Sequence, residues 1–125
     1  MNFVEKRILV VGLGESGLAM ARWLMRVGAH LRVADTRSRP DRLSQLQALA
    51  PEAEFFGGAL QAELVENIDA VFVSPGLAPH GDLKVIIERA EELGVPVWGE
   101  LELFSLALAE LKETQAYQPK IIAIT

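Results

Sequence analysis

Apolar positions along the chain come in short unbroken runs separated by stretches of helical period. Arg7 to Val11, Leu31 to Ala34, Ala53 to Phe56, Ala70 to Val73, Val95 to Trp98 and Lys120 to Ile124 read as strands. Runs that are apolar at successive positions, rather than at every second one, mark parallel strands covered on both faces. Between them the pattern predicts helices near Leu18 to Val27, Asp41 to Leu49, Leu60 to Glu66, Asp82 to Leu93 and Glu100 to Lys112. Pro40 is placed for a first turn and Gly94 for a C-cap. In the fourth helix Leu83, Ile86, Ile87, Ala90 and Leu93 form one stripe, with Lys84 and Glu88 paired on the opposite side. In the fifth, Leu101, Phe104, Ala107, Leu108 and Leu111 form a stripe while Leu103 and Leu106 fall outside it. That helix carries more apolar surface than one packing face uses, and the excess is expected to fold back on the sheet, pair between copies or fray. The alternation as a whole predicts an α/β fold, a doubly wound parallel sheet with helices on both faces in three layers.

A chain of 125 residues with 50% hydrophobic residues has enough apolar material for a single core. The absence of cysteine excludes disulfides and thiolate metal sites. A net charge of −5 without a basic run argues against nucleic acid or a membrane surface as a partner, since both demand a positive face. No run approaches the length of a membrane span, and Met1 to Val11 lacks the pattern of a secretion signal, so a cytoplasmic chain is expected. His30 and His80 have no carboxylate or second histidine at ligand spacing, and no metal is expected. His30 reads as a loop residue before a strand, Trp23 and Trp98 as packing residues, and Arg22 and Arg26 as a solvated helix face.

The chemistry concentrates where the strands end. The first run breaks into Gly12-Leu13-Gly14-Glu15-Ser16-Gly17 and a helix follows at once. In such a strand-turn-helix Gly12 permits the tight turn, Gly14 lets a pyrophosphate approach bare backbone, and Gly17 lets helix and strand pack closely. The N–H groups of Glu15, Ser16 and Gly17 then face the phosphates at the positive end of the helix dipole, the Glu15 side chain turned outward. The second run ends on Asp35-Thr36-Arg37, and the fourth on Ser74-Pro75-Gly76. In an open parallel sheet these exits converge on one crevice. Asp35 can accept from a ribose hydroxyl or a uracil N3–H, and Arg37 can stack on a base or pair with a phosphate. Taken alone, Asp35 and Thr36 are equally well turn residues, Arg37 a surface charge, and Ser74 to Gly76 an abrupt strand exit.

As an ordered set, Val11 to Gly17, Asp35-Thr36-Arg37, Ser74-Pro75-Gly76-Leu77, Gly99-Glu100-Leu101-Glu102-Leu103-Phe104 and Ile121 to Thr125 resemble the amino-terminal part of the Mur ligases of peptidoglycan synthesis, the D-glutamate-adding branch above all. The resemblance implies a Rossmann-like domain that binds a uridine diphosphate sugar, UDP-N-acetylmuramoyl-L-alanine, instead of NAD. It implies that the backbone of Glu15 and Ser16 holds the diphosphate, Asp35, Thr36 and Arg37 the uracil, and Ser74, Pro75 and Gly76 the neighbouring sugar-phosphate. The family's next residues form a Gly-rich P-loop ending in Gly-Lys-Ser/Thr, and none follows Ile124 here. Residues 1–98 are therefore expected to be the UDP-sugar-binding domain, and 99–125 the connecting helix and first strand of a truncated central ATPase domain. On that reading no catalytic residue and no cofactor belong to this segment. ATP, Mg²⁺ and D-glutamate are bound by later domains, where the alanine carboxylate is phosphorylated and the amine of D-glutamate attacks the acyl phosphate. The competing readings are the NAD-binding domain of an oxidoreductase, which the glycine turn and acidic residue alone would favour, and a nucleotide-sensing module without chemistry.

Overall fold

A computed structural model describes residues 3–75, 81, 83–105 and 108. Five strands, β1 (Arg7–Val11), β2 (His30–Asp35), β3 (Glu54–Gly57), β4 (Ala70–Val73) and β5 (Val97–Gly99), form one parallel sheet in the order β3-β2-β1-β4-β5. The helices are α1 (Glu15–Arg26), α2 (Leu43–Leu49) and α3 (Lys84–Leu93). Residues 100–105 are also helical. Chain order reverses between β1 and β4, so the crevice beyond the carboxyl ends of these two strands is the topological switch point.

Strand β1 shows why the apolar runs are continuous. Successive side chains point to opposite faces. Ile8 and Val10 enter the core that includes α1 residues Leu18, Ala21 and Leu24 and α2 residue Leu46, together with Phe3, Phe72 and Leu103. Leu9 and Val11 enter the core on the other face, with Leu64, Val65, Leu83, Ile86 and Ala90. Both faces are dry, so β1 has no position for a polar residue beyond its exposed first one, Arg7. Phe3, Trp23, Phe72 and Trp98 form a chain of aromatic contacts through the first core, centroids 5.5–5.9 Å apart, so both tryptophans serve packing as the sequence indicates.

Several boundaries move. α1 begins three residues before the apolar stretch that predicts it, inside the glycine motif itself. β5 starts after Pro96, which has no N–H to give the ladder but whose carbonyl accepts from Val71 N–H at 2.9 Å. His30 is the exposed first residue of β2, not a loop residue. Gly94 ends α3 in the left-handed region at φ 71°, and Lys84 and Glu88 pair at 3.7 Å, both as expected. The helix predicted from Leu60 to Glu66 is one 3-10 turn, Ala62–Val65. Glu66 is already extended and Asn67 takes φ 62°, while Arg32 Nη1 donates to the freed carbonyls of Leu64 and Glu66 at 2.9 and 3.0 Å. The cap that stops this helix comes from β2, thirty-two residues earlier, where local pattern cannot find it.

The helix after β5 folds back on the sheet through a residue outside the stripe. Leu103 is buried in the first core, and the stripe residues Leu101 and Phe104 stand out at 79% and 60% exposure. At the start of this helix the Gly99 N–H donates to Glu102 Oε2 at 3.1 Å. The predicted strand Lys120 to Ile124 lies outside the described residues.

Candidate nucleotide site

The three glycines of the turn have different physical reasons. Gly12 sits at φ 95°, a conformation that disfavours a side chain. A Cβ on Gly17 would lie 1.8 Å from the Gly12 carbonyl oxygen and 3.0 Å from Ser74 Oγ, so helix and strand can approach only because it is absent. Gly14 has φ −97° and ψ −157°, extended backbone open to any residue, and a Cβ there would meet nothing within 4 Å. The fold requires glycine at 12 and 17 and does not require it at 14. Gly14 is also the N-cap of α1 and supplies no side-chain cap, which leaves the first-turn N–H groups of a twelve-residue helix for something else to satisfy.

The exits of β2, β1 and β4 are stitched to one another. Ser74 Oγ–H donates to the Gly12 carbonyl at 2.8 Å and Ser74 N–H to Val11 O at 3.0 Å, so this buried serine locks the exit of β4 onto the glycine turn. Pro75 follows, exposed, and Gly76 lies outside the described residues. On the other side Leu13 N–H donates to Asp35 Oδ2 at 2.7 Å. Arg37 wraps back over the same carboxylate: its N–H and Nε–H donate to Oδ1 at 2.8 and 2.9 Å, and Nη2–H to Oδ2 at 2.9 Å. Nη2 also reaches the Leu13 carbonyl at 3.3 Å. Four donors occupy the four lone-pair directions of the carboxylate. Burial pushes the Asp35 carboxyl up, but the side-chain and backbone donors of Arg37, the Leu13 N–H and the guanidinium charge outweigh it and hold the group down from the ordinary 3.8 to about 2. The same bond and charge raise Arg37.

Asp35 is thus buried and faces inward, Thr36 is half-buried, and Arg37 is exposed over them. Glu15 is exposed. Beside Leu13 and Gly14 a cleft of about 480 Å³ opens toward Arg37, Asp41, Arg42, Ser44 and Gln45. A larger cleft, about 540 Å³, lies by Arg7, His30 and Arg32 at the amino ends of the strands, the end of an open parallel sheet that does not collect ligands. Sequence reasoning did not single out Leu13, the Arg42–Gln45 wall or Glu100. The wall could have been found from its place directly after the β2 exit. Glu100 falls within the Gly99 to Phe104 segment of the resemblance, but its contact with Ser16 Oγ (3.1 Å) spans eighty-four residues and is not legible from local pattern.

An open 3-2-1-4-5 parallel sheet with a glycine turn between β1 and α1, and with the β2 and β4 exits bonded to that turn, defines a Rossmann-like domain. Solved structures share the fold at low identity: a pseudomurein peptide ligase type C from Methanothermus fervidus (TM-score 0.62, 20% identity, 93% of this chain and 21% of that one) and the D-lactate dehydrogenase of Escherichia coli (TM-score 0.58, 20% identity, 79% and 30%). The family model of the Mur ligase MurD-like N-terminal domain matches residues 6–99, and the chain belongs to that family. Curated relatives include the UDP-N-acetylmuramoylalanine–D-glutamate ligases of Ralstonia nicotianae, 53% identical over 94% of this chain, and Paraburkholderia xenovorans, 55% identical over 94%. The chain spans about a quarter of the length of these relatives, 24% and 23%.

Proposed function

We propose that this chain is the part of an ATP-dependent, amide-forming ligase that binds UDP-N-acetylmuramoyl-L-alanine, to which the whole enzyme adds D-glutamate in cytoplasmic peptidoglycan synthesis. The observation that carries the reading is Gly14. Its glycine is unexplained by the fold, and a Cβ there would stand in the open space above the uncapped first turn of α1. A diphosphate in that space would accept from the N–H groups of Glu15, Ser16 and Gly17 with the helix dipole behind them. The uracil would lie toward Asp35, Thr36 and Arg37, and the sugar toward Ser74, Pro75 and Gly76. Because the Asp35 carboxylate is fully used by Leu13 and Arg37, a uracil N3–H can take a place on it only as an Arg37 donor leaves. Arg37, exposed and hinged on a loop, is the group free to make that exchange.

Residues 99–125 would open the central ATPase domain, and ATP, Mg²⁺ and D-glutamate would be held by the remainder of the longer enzyme. This chain's contribution is binding and orientation, with no catalytic group of its own. The NAD reading is the weaker one. The family model that matches residues 6–99 is that of a Mur ligase domain, whereas the likeness to a dehydrogenase, at 20% identity, is one of fold alone. Amide NMR titration tests the choice. UDP should shift Gly12 to Gly17 and Asp35 to Arg37, and equal or stronger shifts with NAD alone would overturn the reading.

A further inference from the structure

The helix following β5 opens with two carboxylates of different fates. Glu102, three residues after the N-cap Gly99, folds back to accept the Gly99 N–H and so closes its own helix. Glu100 is left over from capping, and it reaches sideways to the glycine turn, where Ser16 Oγ–H donates to its Oε2 at 3.1 Å. Ser16 lies in the first turn of α1, where the diphosphate of the proposed ligand would sit. A serine hydroxyl has one proton to give. While it points at Glu100 it is withheld from a phosphate oxygen, and the carboxylate places a negative charge beside the place where two more would arrive.

Resting on the nucleotide reading above, we propose that Glu100 is a positioning residue that sets the anion affinity of the glycine turn, holding the Ser16 proton until a diphosphate takes it and displaces the carboxylate. The displacement has a structural consequence. Glu100 is the first residue of the helix whose Leu103 is docked in the core and whose Leu101 and Phe104 are exposed. Releasing it frees the first turn of the segment by which the chain leaves the sheet, so occupancy of the glycine turn is transmitted to the helix after β5.

Glu100→Gln keeps an acceptor for Ser16 and removes only the charge. Calorimetric titration of this chain and of E100Q with uridine, UMP and UDP reads the effect. A unit charge removed at about 5 Å in a solvent-exposed site predicts UDP binding tightened about 3- to 10-fold, UMP less, and uridine unchanged. A helix-capping or purely structural role would move all three together or none. In the wild-type chain, UDP should also raise amide hydrogen exchange over residues 100–105. If UDP shifts the amides of Gly12 to Gly17 yet binds E100Q no more tightly than wild type, the role of Glu100 is wrong and the nucleotide reading stands. If none of the three ligands perturbs those amides in either protein, both are overturned.

Discussion

Replacing Asp35 by Asn removes the charge at the centre of the β1–β2 junction with little change of shape, and the structure sets the size of the effect. The carboxyl lies at about 2 in the folded chain against an ordinary 3.8, which at about 1.36 kcal/mol per pH unit amounts to about 2 kcal/mol of stability at neutral pH. Asparagine offers one carbonyl oxygen to four donors, and its NH₂ is set against the others. The buried Leu13 N–H or the Arg37 donors then lose their acceptor, which costs about 1–3 kcal/mol. These contributions overlap, so the variant should be about 3 kcal/mol less stable than wild type at pH 7. The sign of the pH dependence follows from the depressed value. The charged form is favoured by folding, so its stabilisation is complete above about pH 5, where the unfolded carboxyl is also ionised, and is lost as pH falls toward about 2. Urea unfolding of both proteins at pH 7, 4 and 2.5 measures the difference directly, and the other carboxylates cancel. The gap should shrink to about 1 kcal/mol at the acid end, where a neutral acid and an amide are near equivalents. A gap that stays constant across the range, or widens on acidification, would refute the argument that the Arg37 and Leu13 bonds stabilise the ionised form.

Other outcomes follow from the same geometry. Gly14→Ala, whose added Cβ meets nothing, should still fold, at a cost of no more than about 1 kcal/mol for the poorer N-cap, yet weaken UDP binding by calorimetry. Gly17→Ala should cost about 2–4 kcal/mol in urea unfolding because its methyl overlaps the Gly12 carbonyl; a neutral result would disprove the close approach of α1 to β1. Arg37→Ala should weaken UDP binding and move the acid loss of stability up toward the ordinary carboxylate range, which acid titration by circular dichroism can follow. Leu103→Ala should destabilise the chain by about 2 kcal/mol while Leu101→Ser is neutral, and the reverse order would show that the helix after β5 docks by its other face.

Much of the architecture is legible without coordinates because it rests on local rules. Arg7–Val11 and Ala70–Val73 are found to the residue, since a strand dry on both faces admits only apolar side chains and its polar borders are sharp. The glycine turn and the acidic end of β2 are readable for the same reason: tight turns and strand exits use few residue types. Only the tertiary structure decides the contacts that local pattern does not carry. Arg32 stops a helix thirty-two residues away by taking its carbonyls, Leu103 and not Leu101 meets the core, and Glu100 reaches Ser16 across the top of the sheet. The sequence likewise places Asp35 at the end of β2 but leaves open which way its carboxylate faces. That depends on the β1–β2 register, which sets Val11 against Ala34 and so brings the Leu13 N–H to the carboxylate before any ligand arrives.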